Sequence, residues 1–508
     1  MRVVTSRQML TIEQHAESEF GLTTTMLMER AGEAVADEAK KILSSSGKAL
    51  IVCGKGNNGG DGFVAARLLD EAGYAVTVYS LANADDLAPD ARKAFDKLPA
   101  RITIIAGSNL NTFDEAVLAA DIIIDAIFGF SLKGAVRGTA ADIIDRVNAS
   151  QRPILSVDLP SGLAADTGKV YSSGIVADVT VTFTAPKVGM LLYSGFVNTG
   201  EYIVADIGIP GELVEEIGTY RELDKLEVRN LFPVRDINAH KKSVGQVLVI
   251  AGSRGMPGAA ALVARAAYRM GAGLVAFAPP AGITAVLNEA VVEAIAWPQH
   301  ETAHGTLALA ADEHLLAIAS QYDVVAIGPG LGSEPETEEL IRMLVADIDK
   351  PMVIDASALT AIAANPNVLR NRRSETIITP HPGEMARLFG VSPQEVLGDW
   401  LGFAHRAHDE FGAVVVLKGA RTVICGQVEI TINTTGNPGL ATAGTGDVLT
   451  GAIAALLAQG LDAYSAASIG AFLHGLSADI AVEDSNIYSL TASDVIEYLP
   501  EAINEVIL

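Results

Sequence analysis

The chain has 508 residues, too many for one ordinary hydrophobic core, so two to four domains are expected. Hydrophobic residues make up 49% and charged residues 19%, which excludes an intrinsically disordered chain. A formal net charge of −25 argues against a nucleic-acid-binding surface but leaves room for anionic nucleotides held locally by backbone N–H groups and lysines.

No run of about 18 uninterrupted apolar residues stands out. The Ala-rich stretch from Ala259 is broken by Arg265 and Arg269, so no membrane contact is expected. Met1–Thr5 carries neither the apolar segment nor the small-residue cleavage site of a secretory leader, and a cytoplasmic location is expected. Cys53 and Cys425 lie in separate apolar runs and read as reduced, buried small hydrophobes.

Residues Ser6–Phe20 and Thr24–Leu43 carry apolar positions at helical spacing. Ala49–Cys53 reads as a short buried strand, followed by the glycine loop Gly54–Gly62 and a helix over Phe63–Ala72. Strand, glycine loop and helix in that order place a nucleotide site at the carboxyl edge of a parallel sheet. Further strands are expected at Ala75–Ser80, Ile102–Ala106, Asp121–Ile127, Ile154–Asp158 and Val179–Phe183, which predicts a doubly wound α/β sheet. Polar groups sit at three strand ends: Asn57, Asn58 and Asp61; Asp125; and Asp158 with Ser161. Singly, each reads as a turn or cap residue. Together they favour a site in which oxygen donors could hold a hard cation and Asp158 could act as acid or base.

On the motifs Met28–Gly32, Asn57–Gly62, Asp125–Ala135 and Asp158–Gly162, this half resembles the NAD(P)H-hydrate epimerases. The resemblance implies a Rossmann-like three-layer domain with K+ held by Asn58, Asp125 and Ser161. It implies hydrate binding by Asn57, Asn58, Gly59, Gly60, Asp61, Gly129, Phe130, Ser131, Leu132, Lys133, Gly134, Ala135 and Asp158. Asp158 would be the proton-transfer residue that inverts carbon 6 of the hydrated nicotinamide ring.

A strand over Tyr202–Asp206 ends at Gly208–Gly211, and the charged stretch Glu212–Val234 has no strong period. The domain boundary is placed between residues 215 and 225, giving segments 1–218 and 219–508. Strand–loop–helix order then restarts. Gln246–Ile250 leads into Ala251–Ala260 and an Ala-rich helix; Asp323–Ile327 leads into Gly328–Gly332. Met352–Asp355 and Thr376–Thr379 are short strands, the latter followed by Pro380–Glu384, and Val414–Lys418 leads into Gly419–Thr422. Singly these signals are uneven. Gly328–Gly332 is a common turn composition, His381 reads as structural or substrate-facing, Lys418 as phosphate-binding or an edge charge, and Asp355 as a strand-end cap.

The strongest stretch is Asn437–Gly451. Small residues up to Gly444-Thr445-Gly446-Asp447 give way to an apolar, Ala-rich run, which predicts a glycine turn opening a buried helix with Asp447 in its first turn. Inward-pointing N–H groups at a helix start suit a phosphate, and a carboxylate beside them is placed to deprotonate an attacking hydroxyl. This half resembles the ADP/ATP-dependent NAD(P)H-hydrate dehydratases of ribokinase-like fold, on Ala251–Ala260, Gly328–Gly332, His381–Glu384, Lys418–Thr422 and Asn437–Gly451. The resemblance implies nucleotide binding by Lys418, Gly419, Ala420, Arg421, Thr422 and Gly446, and contact with the hydrate by Ala260, Gly330, His381 and Asp447, with Asp447 catalytic. ADP with Mg2+ is the expected phosphate donor, NADH and NADPH hydrates the expected substrates, and a homo-oligomer the expected assembly. Two positions depart from the family pattern: Lys242 where glycine is expected, and Ala443, which matters only if the loop needs a left-handed residue there.

Two other readings compete. A vitamin or sugar kinase with an accessory domain would release a stable phosphorylated product. A non-catalytic nucleotide sensor would bind without turnover.

Overall fold

Seven strands form an all-parallel sheet in the first half of the chain, ordered Thr103–Ala106, Ala75–Ser80, Lys48–Cys53, Ile122–Ala126, Ile154–Val157, Val179–Phe183, Glu201–Ala205. The structure, a computed structural model, describes residues 1–107, 109–132 and 134–508. Its two compact units are Met1–Arg221 and Glu222–Leu508.

Alternation along Lys48–Cys53 shows why the first sheet is covered on both faces. Leu50 and Val52 join the core built with Phe113, Val117, Ile143 and Ile144, while Ala49, Ile51 and Cys53 join the one built with Met9, Val35 and Phe63. The helix Ser6–Phe20 starts where a capping box between Thr5 and Gln8 satisfies its first N–H groups, and it stops at left-handed Gly21.

One expectation is corrected. The stretch Gly54–Gly62 is not a loop ahead of a helix at Phe63, because the helix runs from Asn57 to Glu71 and takes Asn57–Asp61 into its first turns. The glycines serve close packing rather than loop freedom. A Cβ on Gly59 would lie 2.0 Å from the Gly54 carbonyl oxygen, and one on Gly62 would lie 2.6 Å from Ala126 Cβ.

In the second unit nine strands lie in the order Ile430–Ile432, Val423–Cys425, Val414–Leu417, Thr376–Ile378, Met352–Ile354, Val324–Ile327, Gln246–Ile250, Leu274–Phe277, Ile295–Ala296. The first three pair antiparallel and the rest parallel. Helices Pro257–Arg269, Thr445–Ala458, Ala463–Glu483 and Ala492–Ile507 pack into a core with Val247, Val249 and Val353. Ala463–Glu483 is long and apolar enough to cross a membrane, but 83% of its apolar window is buried inside the protein, as for the core helix of an α/β fold. Cys53 and Cys425 are buried free thiols.

Candidate active sites

In the first unit the strand order reverses between Lys48–Cys53 and Ile122–Ala126, and the loops beyond their carboxyl ends part at that point. A cleft of about 670 Å³ opens there, lined by Asn57, Asn58, Asp61, Gly129–Leu132 and Asp158. Gly134 borders an adjoining cavity, Ala135 is exposed, Gly59 and Gly60 pack the helix against its neighbours, and Lys133 lies outside the described residues.

Asp158 stands at the end of Ile154–Val157 with a positive φ of 64°, a strained backbone for a residue with a side chain. Its Oδ1 accepts from Lys187 Nζ, and at 3.4 Å from both Thr182 Oγ1 and Phe183 N. Lys187 is 1% exposed along its side chain, and its ammonium also donates to Thr182 Oγ1 (3.0 Å) and the Phe183 carbonyl (3.2 Å). Lys187 and Glu13 line the same cleft and went unnoticed in the sequence. Lys187 follows the end of Val179–Phe183, so the strand-end logic that singled out Asp158 also reaches it; Glu13 sits mid-helix with no such signal. Burial, then the Asp158 carboxylate, push Glu13 up to about 7 against the opposing effect of Lys187. Burial and the carboxylates of Asp158 and Glu13 hold Asp61 well above the usual carboxylate range.

Asp125 and Ser161 are brought into direct contact. Asp125 Oδ1 accepts from Ser161 Oγ at 2.6 Å, and Oδ2 accepts from Ser161 N at 2.8 Å and Ser156 Oγ at 3.0 Å. Burial raises the Asp125 carboxyl while these bonds pull it back. Asn58 packs beside Gly129, and its Nδ2 is buried without a hydrogen-bond partner.

In the second unit the order reverses between Gln246–Ile250 and Val324–Ile327. The loops after these strands are tied together: Gly252 N donates to the Pro329 carbonyl (2.8 Å), and Ser253 Oγ donates to that of Gly330 (2.7 Å). Gly330 is left-handed, with φ 69°. Ala260 is fully buried in the core behind these loops.

The predicted helix is present as Thr445–Ala458, with Gly444 in the left-handed region at its start (φ 90°) and Asp447 in its first turn. Ala443 is not among the residues of positive φ, so its methyl group is compatible with the loop. Lys418 Nζ donates to Asp355 Oδ1 at 2.7 Å, and Thr450 Oγ1 donates to Asp355 Oδ2 at 2.9 Å. A Cβ on Gly446 would stand 3.4 Å from Lys418 Nζ, so the missing side chain leaves a path from the helix start to the ammonium. Burial, then Asp355, push Asp447 up to about 7, with Lys418 opposing. Burial would lower Lys418, but Asp355 and Glu384 outweigh it and hold the ammonium above its ordinary value.

His381 caps the helix Pro382–Phe389 by accepting at Nδ1 from Gly383 N (2.9 Å) and Glu384 N (3.3 Å). That bond leaves Nε2 as the protonated edge of a half-exposed ring. In the stretch Lys418–Thr422, Gly419 lies under the Trp400 ring, Ala420 is exposed, Arg421 donates to the Thr434 carbonyl, and Thr422 Oγ1 donates back to the Gly419 carbonyl at 3.3 Å. Lys242 lies in an exposed turn where Ser243 Oγ donates to the His240 carbonyl. The sequence also missed His474. It is buried in the helix Ala463–Glu483 and bonds through Nε2 to the Thr445 carbonyl at 2.9 Å.

A Rossmann-like unit and a ribokinase-like unit, each with acidic side chains gathered beyond the carboxyl ends of its parallel strands, define a two-domain α/β enzyme. Comparison with known proteins agrees. The NAD(P)H-hydrate dehydratase family profile matches residues 247–501, and the profile for the YjeF-related protein N-terminus matches residues 24–189. The bifunctional NAD(P)H-hydrate repair enzyme Nnr of Moorella thermoacetica is 42% identical, across 98% of this chain and 96% of its own. A solved ribokinase-like superfamily protein from Enterococcus faecalis is 27% identical over 56% of this chain and 96% of its own, with a TM-score of 0.50. An ADP/ATP-dependent NAD(P)H-hydrate dehydratase from Bacillus subtilis, crystallised with ATP and Mg2+, is 30% identical over 56% of this chain and 97% of its own, with a TM-score of 0.48. The chain belongs to the family of bifunctional NAD(P)H-hydrate repair enzymes.

Proposed function

We propose that the first unit epimerises the R and S hydrates of NADH and NADPH, and that the second dehydrates the S form at the expense of ADP, giving AMP and phosphate. The observation that carries this is the pairing, in one chain, of two groups of side chains beyond strand carboxyl ends, each with an aspartate beside a lysine: Asp158 with Lys187, and Asp447 next to Lys418. The activities map onto Met1–Arg221 and Glu222–Leu508.

The hydrate carries a hydroxyl on carbon 6, next to the ring nitrogen. Hydroxide leaves poorly, whereas phosphate leaves well, so phosphorylating that oxygen lets the nitrogen lone pair expel it; loss of a neighbouring proton restores the dihydronicotinamide. Asp447 takes the hydroxyl proton as the oxygen attacks the phosphoryl group, and the N–H groups at Thr445–Gly446 receive the transferring phosphoryl oxygens. Lys418–Thr422 and Gly446 bind the nucleotide, and Gly330 and His381 flank the hydrate, with Ala260 supporting the loop from behind. Among the described residues no three His, Cys, Asp or Glu side chains are grouped to hold a metal ion. That suits Mg2+ arriving on the nucleotide phosphates and completed by water with Asp355 or Glu384, where it would neutralise phosphoryl charge.

In the first site Lys187, Thr182 and Phe183 N fix Oδ1 of Asp158, which leaves Oδ2 to exchange a proton with the carbon 6 hydroxyl. Asn58, Asp125 and Ser161 offer amide, carboxylate and hydroxyl oxygens beyond the ends of neighbouring strands. These donors suit K+, which would supply a fixed positive charge for anionic parts of the substrate.

The test is to give purified protein mixed-epimer NADH hydrate with ADP or ATP and Mg2+. The expected result is full recovery of near-ultraviolet absorbance from both epimers, with one phosphate released per NADH. A stable phosphorylated product would instead indicate a kinase, and binding without turnover a sensor.

A further inference from the structure

We propose that Glu13 is a second catalytic residue of the first site, the acid that works with Asp158 by protonating the departing carbon 6 hydroxyl. The inference rests on the epimerase reading of that cleft. Inverting the carbon through loss and return of its oxygen needs two proton carriers, because the oxygen leaves one face of the ring and water enters the other.

Four of the six charged groups lining the cleft come from four separate segments: Glu13 on Ser6–Phe20, Asp61 on Asn57–Glu71, Asp158 after Ile154–Val157, and Lys187 after Val179–Phe183. Lys55 and Glu17 are the other charged groups on the lining, and the helix Thr24–Ile42 brings none to it. Lys187 is disqualified as the acid by its bonding, since three acceptors, Asp158 Oδ1, Thr182 Oγ1 and the Phe183 carbonyl, take up its three N–H bonds. Asp158 is bonded to that ammonium through Oδ1, which leaves Oδ2 to accept a proton. Burial and the carboxylates of Asp158 and Glu13 raise Asp61, which serves as a fixed donor on the cleft wall rather than the acid that cycles. Glu13 remains. Its carboxyl makes no side-chain hydrogen bond among the described residues, and its acidity is displaced towards neutrality, where an acid transfers protons most effectively.

The step balances as follows. The ring nitrogen lone pair forms the N1=C6 π bond; the C6–O bond breaks with its pair going to oxygen, and Glu13 gives that oxygen a proton, so water departs. Water then adds to C6 from the other face, the π pair returns to nitrogen, and Asp158 accepts the surplus proton. Glu13 ends as carboxylate and Asp158 as acid, and proton exchange with solvent resets both. In the reverse direction the two exchange roles.

The experiment uses the full chain and measures interconversion of separated NADH hydrate epimers, with denaturant unfolding of the same preparation reporting that the first unit is folded. Glu13→Gln is expected to lower the epimerisation kcat by at least about 100-fold with KM little changed. Wild type should lose rate as pH rises through about 7, and Glu13→Asp should keep such a limb at reduced rate while Glu13→Gln lacks it. In water labelled with oxygen-18, the inverted epimer should carry the label faster than the uncatalysed background. A Glu13→Gln protein with the wild-type rate and pH profile, loss confined to Asp61→Asn, or inversion with full retention of oxygen would each overturn the inference. Failure of wild type to interconvert the epimers would instead refute the epimerase reading itself.

Discussion

In the first unit the aspartate to which we assign proton transfer is tied to lysine: Asp158 and Lys187 form a buried pair with side-chain exposures of 6% and 1%. In the second the lysine is bonded to a different aspartate, Asp355, and Asp447 stands beside the pair without a side-chain hydrogen bond among the described residues. The same two residue types are therefore paired differently in the two units. A lysine against a carboxylate favours its ionised form, whereas a buried carboxylate next to an already satisfied pair is pushed towards neutrality. Asp447 at about 7 is ready to take a proton from an alcohol as bond formation makes that alcohol acidic. Both aspartates lie near strained non-glycine backbone, at Asp158 itself (φ 64°) and at Ala356 next to Asp355 (φ 50°), where the strand ends turn sharply into the clefts.

The comparison is tested most sharply at Asp447. Asp447→Asn should abolish dehydration, by about 1,000-fold or more if it is the base, and leave epimerisation within about twofold. Equal loss of both activities in a folded protein would contradict two independent sites. Asp158→Asn should do the reverse and also cost stability, because it strands Lys187 as a buried unpaired cation; removing one member of such a pair costs about 3–5 kcal/mol. Denaturant unfolding of that variant should therefore show a weakened transition that Asp447→Asn does not share.

The pH dependence should also separate the sites. Asp447 must be ionised to accept a proton, and its carboxyl is displaced upward to about 7, so kcat/KM for dehydration should fall as pH drops below about 7. Replacing Asp355, the second cause of that displacement after burial, by asparagine should move the limb to lower pH. An unchanged limb would mean that another group governs it.

How much of this was legible follows from which residues sit at strand ends. Asp158, Ser161, Lys418 and the Gly444–Asp447 stretch all follow apolar runs whose period marks them as strands, or open a helix of evident composition, so their place in a cleft can be read from order alone. Glu13 lies mid-helix among ordinary polar residues, and His474 lies in a helix whose apolar run is broken by Ser465, Ser468 and Asp479; only tertiary packing brings either to a site. The asparagine–glycine stretch shows the converse error. Its composition resembles a loop, yet the glycines are there because the helix runs against the Gly54 carbonyl, which propensity cannot reveal.

A smaller effect is expected from Gly446→Ala. The new methyl would stand 3.4 Å from Lys418 Nζ, close enough to crowd an anion there without disturbing the helix. The KM for ADP should rise about tenfold, equivalent to about 1.4 kcal/mol of binding, with kcat less affected. Loss of kcat with KM unchanged would place the phosphoryl group elsewhere.

The mildest prediction concerns His474, which holds the start of the helix that carries Asp447. Burial, more than the hydrogen bond to Thr445 restores, brings its imidazole down to about 4, so it is neutral at pH 7 and donates Nε2–H to the Thr445 carbonyl. Because the folded value lies below the unfolded one, the unfolded chain binds the extra proton, and stability must fall as pH drops from about 6.5 towards 4. His474→Leu removes both the donor and this acid sensitivity. It should cost about 1–3 kcal/mol at pH 7, where a buried acceptor loses its partner, and less at pH 5, where wild type is already weakened. Urea unfolding at the two pH values gives the difference directly. A loss that is larger at pH 5 than at pH 7 would mean that the imidazole is charged in the folded protein while it donates to the Thr445 carbonyl.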